Sequence, residues 1–333
     1  MASIPTLALT AGDPGGVGPE VLLKAIAAGP ETRRARLVII GDYAVFEAAA
    51  RRLHRRLPSW SVLRPEQPLP SGRSTLLLDL DHRRIFRPGR TSREAGAASM
   101  AYLDCAVRLW RDHKIHGLVT APVTKWAIRQ VLPGFVGQTE YLAEATRARD
   151  VVMMFVSDRL RVALLTRHLP LRRVAGAINC RLIRRTVRLT ARALSQDFHI
   201  QRPRLALCGV NPHAGERSLR SEEQRLMVPV LRAVRREGIR CDGPFAADGF
   251  FGSPGLASYD AVICAYHDQG LIPFKMAARD RGCQLSAGLP LIRTSPDHGS
   301  ALDIAGRGIA HPGSMRYAIG LAAQLALGRL SAQ

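Results

Sequence analysis

The chain has 333 residues, 47% of them hydrophobic, enough to bury a sizeable core, and its length favours two lobes over one. It offers no run of about 18 apolar residues for a membrane span, and Met1-Ala2-Ser3-Ile4-Pro5 lacks the basic start and apolar stretch of a secretory signal, so the cytoplasm is the expected location. The formal charge of +21 is scattered in short pairs (Arg33-Arg34, Arg51-Arg52, Arg55-Arg56, Arg172-Arg173, Arg184-Arg185, Arg235-Arg236) without interleaved aromatics, which reads as a solvated surface with no specific nucleic-acid partner.

Short apolar runs alternate with longer amphipathic stretches, the pattern of strands and helices around a mostly parallel sheet, and the fold class is α/β. The expected strands are Thr6-Thr10, Leu37-Gly41, Gly117-Thr120, Arg161-Thr166, Arg204-Val210 and Ala261-Tyr266. Each ends near a polar loop, and in open α/β sheets such ends are where ligands bind. The segment from Leu57 to Arg73, with four prolines, reads as an irregular connection. Thr91-Ser92-Arg93-Glu94 fits a capping box, and Ala95, Ala98, Tyr102, Cys105, Ala106 and Leu109 continue it at helical period. A second helical stretch runs from about Ser221 to Arg236, with a kink or break expected at Pro229. The six cysteines (Cys105, Cys180, Cys208, Cys241, Cys264, Cys283) show no C-x-x-C pair and are expected to be reduced and mostly buried.

Three motifs carry candidate chemistry. Gly12-Asp13-Pro14-Gly15-Gly16-Val17-Gly18-Pro19-Glu20 lies between the first strand and the first helix, where glycines and a helix N-terminus suit an anion; a Gly-rich turn alone is weak evidence of function, and its spacing and two prolines set it apart from the G-x-G-x-x-G of a dinucleotide fold. His168, His213 and His267 each follow an apolar strand. Singly each reads as a surface or core histidine, but three at comparable strand ends suggest convergence on a divalent metal, with Asp268 available to orient a ligand. The stretch Gly288 to Gly306 holds Arg293, suited to a bidentate anion contact, and the turn His298-Gly299; it fits a cofactor or phosphate loop or an ordinary polar connection.

Together these motifs resemble the 4-hydroxythreonine-4-phosphate dehydrogenase family of pyridoxal phosphate biosynthesis. The likeness runs through Gly12-Glu20, Thr120-Lys125, Gly137-Glu140, Asn211-Glu216, Ala247-Asp248, Tyr266-Gly270 and the loop to Gly306. It implies a homodimer of two-lobed α/β/α subunits, of the type shared with isocitrate and isopropylmalate dehydrogenases, with the active site in the cleft between lobes. One lobe is expected at 1-125 plus 290-333 and the other at 126-289. The resemblance further implies a divalent metal (Zn, Mg, Mn or Co) on His168, His213 and His267, with NAD or NADP held by Gly12, Asp13, Gly18, His298, Gly299 and Asp303. The phosphorylated hydroxy-acid substrate falls to Gln138, Thr139, Lys275, Gln284 and Arg293, and proton handling to Lys125, Lys275 and Asp248.

Two positions depart from the family pattern: its Gly-His-Thr-Glu is Gly137-Gln138-Thr139-Glu140 here, and its Val-Asn-Ile-Thr type segment is Cys283-Gln284-Leu285-Ser286. An amide keeps hydrogen-bonding capacity but not the imidazole's charge. Oxidation of another hydroxy acid, a four-carbon sugar-acid phosphate or a cyclic dihydrodiol carboxylate, is the alternative activity. A non-catalytic metal- or polyanion-binding protein is the alternative from another class.

Overall fold

The computed structural model describes residues 4–29, 34–72, 74–82 and 86–331. Arg33, Arg73, the first three residues and the last two lie outside the described residues. The chain divides into two compact units, 1–149 with 289–333, and 150–288. The first unit carries β1 (Thr6–Thr10), β2 (Arg36–Gly41), β3 (Ser61–Leu63), β4 (Leu76–Asp79) and β5 (Gly117–Thr120). The second carries β6 (Val152–Ser157), β7 (Arg161–Leu164), β8 (Arg204–Cys208), β9 (Arg240–Phe245), β10 (Ala261–Cys264) and β11 (Gly282–Ala287), and β12 (Ile292–Pro296) returns to the first.

In the first unit the strand order is β3-β4-β2-β1-β5-β12, parallel throughout. Such sheets are covered on both faces, which is why Thr6-Leu7-Ala8-Leu9-Thr10 is buried at every position instead of alternating. The helix Arg93–Arg111 packs beneath this sheet, and its cap differs from expectation: the Ser92 hydroxyl accepts from Ala95 N at 3.2 Å, one residue after Thr91. Thr91 is drawn away because its hydroxyl donates to Asp13 Oδ2 at 2.8 Å.

The boundary expected at 125/126 falls too early. Ile128 and Phe135 pack with Met100 of the long helix, with Val123 and Tyr141 against them, so the segment through Arg149 belongs to the first unit. The proline-rich segment is irregular, among the described residues, except for β3, a short strand that pairs with β4.

In the second unit the order is β11-β6-β7-β10-β8-β9, antiparallel at β11-β6-β7 and parallel from β7 to β9. Its core joins Phe155, Val162, Leu164, Ala206 and Val262 to Leu271 and Phe274 of the helix His267–Ala278. The stretch around Pro229 does not break: a wide π-turn over Glu223–Met227 runs directly into the helix Val228–Arg236, and the proline sits in that helix's first turn. Five cysteines are buried, Cys180 is exposed, and all six are free thiols. The paired arginines ride outer faces, where Arg184 meets Glu237 and Arg185 lies 2.8 Å from Asp150. Among the described residues no helix is long and apolar enough to cross a membrane.

Candidate functional site

In the first unit Arg293, second residue of β12, is 3% exposed. A buried guanidinium is costly unless its donors are satisfied. Its Nε donates to Thr120 Oγ1 at 3.1 Å, Nη1 to Thr139 Oγ1 at 3.3 Å and Nη2 to Gln138 Oε1 at 2.8 Å. The Thr120 hydroxyl also donates to Gln138 Oε1 at 3.0 Å, and Gln138 Nε2 donates to the Ala121 carbonyl at 3.2 Å. Parallel pairing of β12 with β5 sets Arg293 opposite Leu118, which brings Thr120 within its reach. Thr120 was not among the residues expected to act, although the strand-end rule pointed to it. Lys125 stands close by, its Nζ 3.6 Å from where a Cβ on Gly137 would sit.

The opening loop is mostly occupied with its own architecture. Gly12, at φ +72°, lies so close to Pro122 that a Cβ would meet its carbonyl oxygen at 2.3 Å, and one on Gly18 would meet the Ala11 carbonyl at 2.2 Å. Asp13 is fully buried, accepting from Gly15 N at 2.9 Å and from the Thr91 hydroxyl at 2.8 Å. It therefore braces the turn. The final loop is stitched to this one: Val17 N donates to the Ser300 carbonyl at 2.9 Å, and the Thr124 hydroxyl to Ser300 Oγ at 2.9 Å. His298 Nδ1 lies 2.9 Å from the Gly299 carbonyl, leaving Nε2 as an acceptor that is buried without a hydrogen-bond partner. Gly299 and Asp303 are exposed. A cavity of about 180 Å³ adjoins both loops, with Pro14, Gly16, Pro19, Arg52, Phe86 and Gly306 in its wall. The orphaned His298 acceptor is available to a ligand, and the small cavity, whose wall does not include His298, is mostly apolar.

In the second unit β7 and β10 are neighbours, so the residues just past their ends come together. The rings of His168 and His267 have centroids 5.8 Å apart and line one pocket of about 530 Å³ with Arg167, Tyr266 and Asp268. His267 Nδ1 lies 2.6 Å from Asp268 Oδ1, a contact that fixes the ring and turns Nε2 outward as a lone-pair donor. Two imidazoles presented in this way are a donor set suited to a divalent first-row ion.

His213 does not join them. Among the described residues no three of His, Cys, Asp or Glu stand close enough to share an ion, and neither His213 nor Asp248 lines the His168-His267 pocket. The reason lies in the loop after β8, where His213, Ala214, Gly215 and Glu216 are all left-handed, at φ 52°, 52°, 74° and 48°. Fully buried Glu223 anchors its entry, accepting from Val210 N at 2.7 Å and from Asn211 N at 2.9 Å and Nδ2 at 3.0 Å. Burial pushes its carboxyl pKa up, but the bonds from Asn211 and Val210 outweigh that and leave it below the ordinary value. His168 is also left-handed, at φ 44°. Strain of this kind clusters at functional sites.

The remaining expected residues lie apart from this pocket. Asp248 is exposed in the first turn of Ala247–Phe251, and Lys275 is exposed on the helix His267–Ala278. Gln284 is 4% exposed within β11, its amide donating to Ser286 Oγ at 3.1 Å.

The fold and these groups define a two-unit α/β protein with a buried arginine at one set of strand ends and a carboxylate-oriented histidine pair at another. Residues 33–322 match the family model for pyridoxal phosphate biosynthetic protein PdxA, and the chain belongs to that family. It is 42% identical over 332 residues to a 4-hydroxythreonine-4-phosphate dehydrogenase of Chromobacterium violaceum, covering 98% of each chain. The crystal structure of a 4-hydroxythreonine-4-phosphate dehydrogenase from Klebsiella pneumoniae superposes with TM-score 0.84 at 33% identity, covering 98% of this chain and 99% of that one. A terephthalate 1,2-cis-dihydrodiol dehydrogenase from Burkholderia xenovorans LB400 gives TM-score 0.64 at 30% identity, covering 96% and 98%.

Proposed function

We propose that this chain is a cytoplasmic, metal-dependent, NAD- or NADP-linked dehydrogenase. It oxidises 4-phosphohydroxy-L-threonine to 2-amino-3-oxo-4-phosphooxybutanoate, which loses carbon dioxide to give 3-amino-2-oxopropyl phosphate. Family membership supports the reaction, and the observation that carries the substrate reading is the buried Arg293, whose hydrogen bonds to Thr120, Thr139 and Gln138 hold a fixed positive charge. A guanidinium so held has its orientation paid in advance and suits a phosphate.

His168 and His267, with His213 as the third expected ligand, would hold a divalent ion (Zn, Mg, Mn or Co), and Asp268 keeps the His267 ring aligned. Such an ion lowers the pKa of a bound hydroxyl and polarises a carbonyl. His298, Gly299 and Asp303, with the opening glycine turn and the adjoining cavity, would take the dinucleotide. Lys125, beside Gly137, and Lys275 and Asp248, exposed on their helices, are the groups assigned to moving the hydroxyl proton and re-protonating the carbon left by decarboxylation. The nicotinamide would supply the hydride acceptor and the protein groups would take the hydroxyl proton; a ketone beta to the carboxylate is the arrangement that releases carbon dioxide. Homodimerisation belongs to the same reading, supported by Ile272 and Met276, 61% and 75% exposed on one face of the helix His267–Ala278.

A second reading, oxidation of a cyclic dihydrodiol carboxylate, is favoured by the likeness to the Burkholderia xenovorans enzyme and by amides at 138 and 284. One assay separates the two. Purified protein with zinc, manganese or magnesium and NAD or NADP is expected to turn over phosphorylated hydroxythreonine, and Arg293→Ala to raise its KM about a hundredfold, as loss of charge-assisted bonds predicts. Absence of turnover, with oxidation of a dihydrodiol carboxylate instead, would transfer the assignment to the second reading.

A further inference from the structure

We infer that the second unit carries a binding site for a small oligophosphate anion, of the class of inorganic pyrophosphate or a nucleoside diphosphate, at the amino-terminal edge of its parallel strands. The site is separate from the histidine pocket and independent of the dehydrogenase reading.

Four arginines from three pieces of chain line one pocket of about 510 Å³. Arg188 and Arg192 lie one turn apart on the helix Cys180–Gln196, Arg202 comes just before β8, and Arg240 opens β9. Strands β7, β10, β8 and β9 run parallel, so their amino ends share one edge of the sheet. His168 and His267 follow the opposite ends of β7 and β10, and the arginine pocket shares no residue with theirs.

Folding gains nothing from this crowding of charge. Like charges one helical turn apart destabilise a helix, and among the described residues the pocket wall holds no aspartate or glutamate. The neighbouring acids are committed elsewhere. Glu237 accepts from Arg188 Nε at 2.7 Å and is also paired with Arg184, so one carboxylate serves two guanidiniums. Arg204, opposite Arg240 in the pairing of β8 with β9, shows what a neutralised arginine looks like here. Its Nη2 donates to Asp242 Oδ2 at 3.2 Å, and its guanidinium lies 4.8 Å from the centre of the Tyr259 ring. Arg192 instead donates Nε to the uncharged Gln196 Oε1 at 2.8 Å. Arg202 and Arg240, both exposed, make no side-chain hydrogen bond or ion pair among the described residues.

The ligand class follows from these groups. A guanidinium fork takes phosphate oxygens two at a time, and forks entering from three pieces of chain can meet more than one phosphate group. A concave site of this volume suits a compact ligand better than an extended strand. Buried Ala191 and Pro203 add apolar wall beside the charges, a surface on which the ring of a nucleotide can rest.

The test is calorimetry on the full-length protein at low ionic strength, where screening is weak, with pyrophosphate, orthophosphate and ADP as probes. Pyrophosphate is expected to bind at least about tenfold more tightly than orthophosphate. Replacing Arg202 and Arg240 together by glutamine should raise its dissociation constant about thirtyfold. Replacing Arg55 and Arg56 by glutamine removes the same charge from the surface of the first unit and should leave that constant within about twofold. Pyrophosphate should also protect Arg202 and Arg240 of the unaltered protein from phenylglyoxal, read by mass spectrometry, which does not depend on any variant folding. ADP binding tighter than pyrophosphate would support a nucleotide as the occupant, and equal affinity a free diphosphate. Pyrophosphate binding no tighter than orthophosphate, or unchanged in the Arg202/Arg240 variant, would overturn the inference. So would equal losses in the two double variants, which would assign the binding to net charge, and so would binding without protection of Arg202 and Arg240. A single-stranded oligonucleotide that displaces pyrophosphate at a lower phosphate concentration would replace the small anion by a nucleic-acid strand.

Discussion

The two units prepare their chemistry in opposite ways. In the first, Arg293, Thr120 and Thr139 are nearly inaccessible and are bonded to one another or through Gln138. In the second, His168 and His213 are exposed, His267 is partly so, and two of the three sit on left-handed backbone. The difference follows from what each group must do. A guanidinium carries its charge permanently and can be fixed by neutral acceptors in advance, whereas an imidazole would hold a metal only through a ring-nitrogen lone pair. The proposed anion-binding group is thus organised by folding, and the histidines proposed for the metal are expected to be organised by the ion.

The largest effect expected on this contrast is at the histidines. His267→Ala or His168→Ala should abolish stoichiometric metal binding, measured by elemental analysis after dialysis, and lower kcat/KM about a thousandfold, as loss of several kcal/mol of charge stabilisation requires. Retention of a full equivalent of metal by either variant would show that the pair is not the ion's site. Next comes the orienting carboxylate: Asp268→Asn should weaken metal affinity by roughly 10- to 100-fold while saturating metal restores most of kcat. If affinity is unchanged, the 2.6 Å contact to His267 Nδ1 is incidental to binding.

A smaller effect is expected at Glu223, which holds the strained His213 loop. Its folded pKa lies below the ordinary value, so its contribution to stability is present in full above about pH 4.3, the ordinary Glu value, and is lost as pH falls through the folded pKa. Glu223→Gln should cost about 1–3 kcal/mol at neutral pH, since an amide cannot accept from Val210, Asn211 N and Asn211 Nδ2 together. The gap to wild type in urea titrations should narrow as pH drops below about 4. A gap that is constant with pH would assign the loss to shape alone.

Several elements were legible from local pattern and others were hidden by their own function. β1, β2, β5, β7, β8 and β10 announce themselves as apolar runs. β11 and β12 do not, because Gln284, Ser286, Arg293, Thr294 and Ser295 interrupt the hydrophobic pattern, although all five are buried. β9 is masked by Asp242, Gly243 and Pro244. The capping signal at Thr91-Ser92 was read one residue early, because the competitor for the Thr91 hydroxyl is Asp13, 78 positions away.

The sequence by itself determined the α/β alternation, the polar strand ends, and the chemical identity of the groups there: a guanidinium at 293, imidazoles at 168, 213 and 267, an amide at 138. Those facts are local, written in periodicity and residue type. The tertiary structure decided what each group does with its neighbours. It assigned Asp13 to bracing a turn, closed His168 on His267 without His213, and set Gln138 against Arg293 across 155 positions of chain. A hydrogen bond between residues so far apart leaves no periodic trace, because its distance and direction are set by strand pairing and helix packing around it, and only the folded chain contains them.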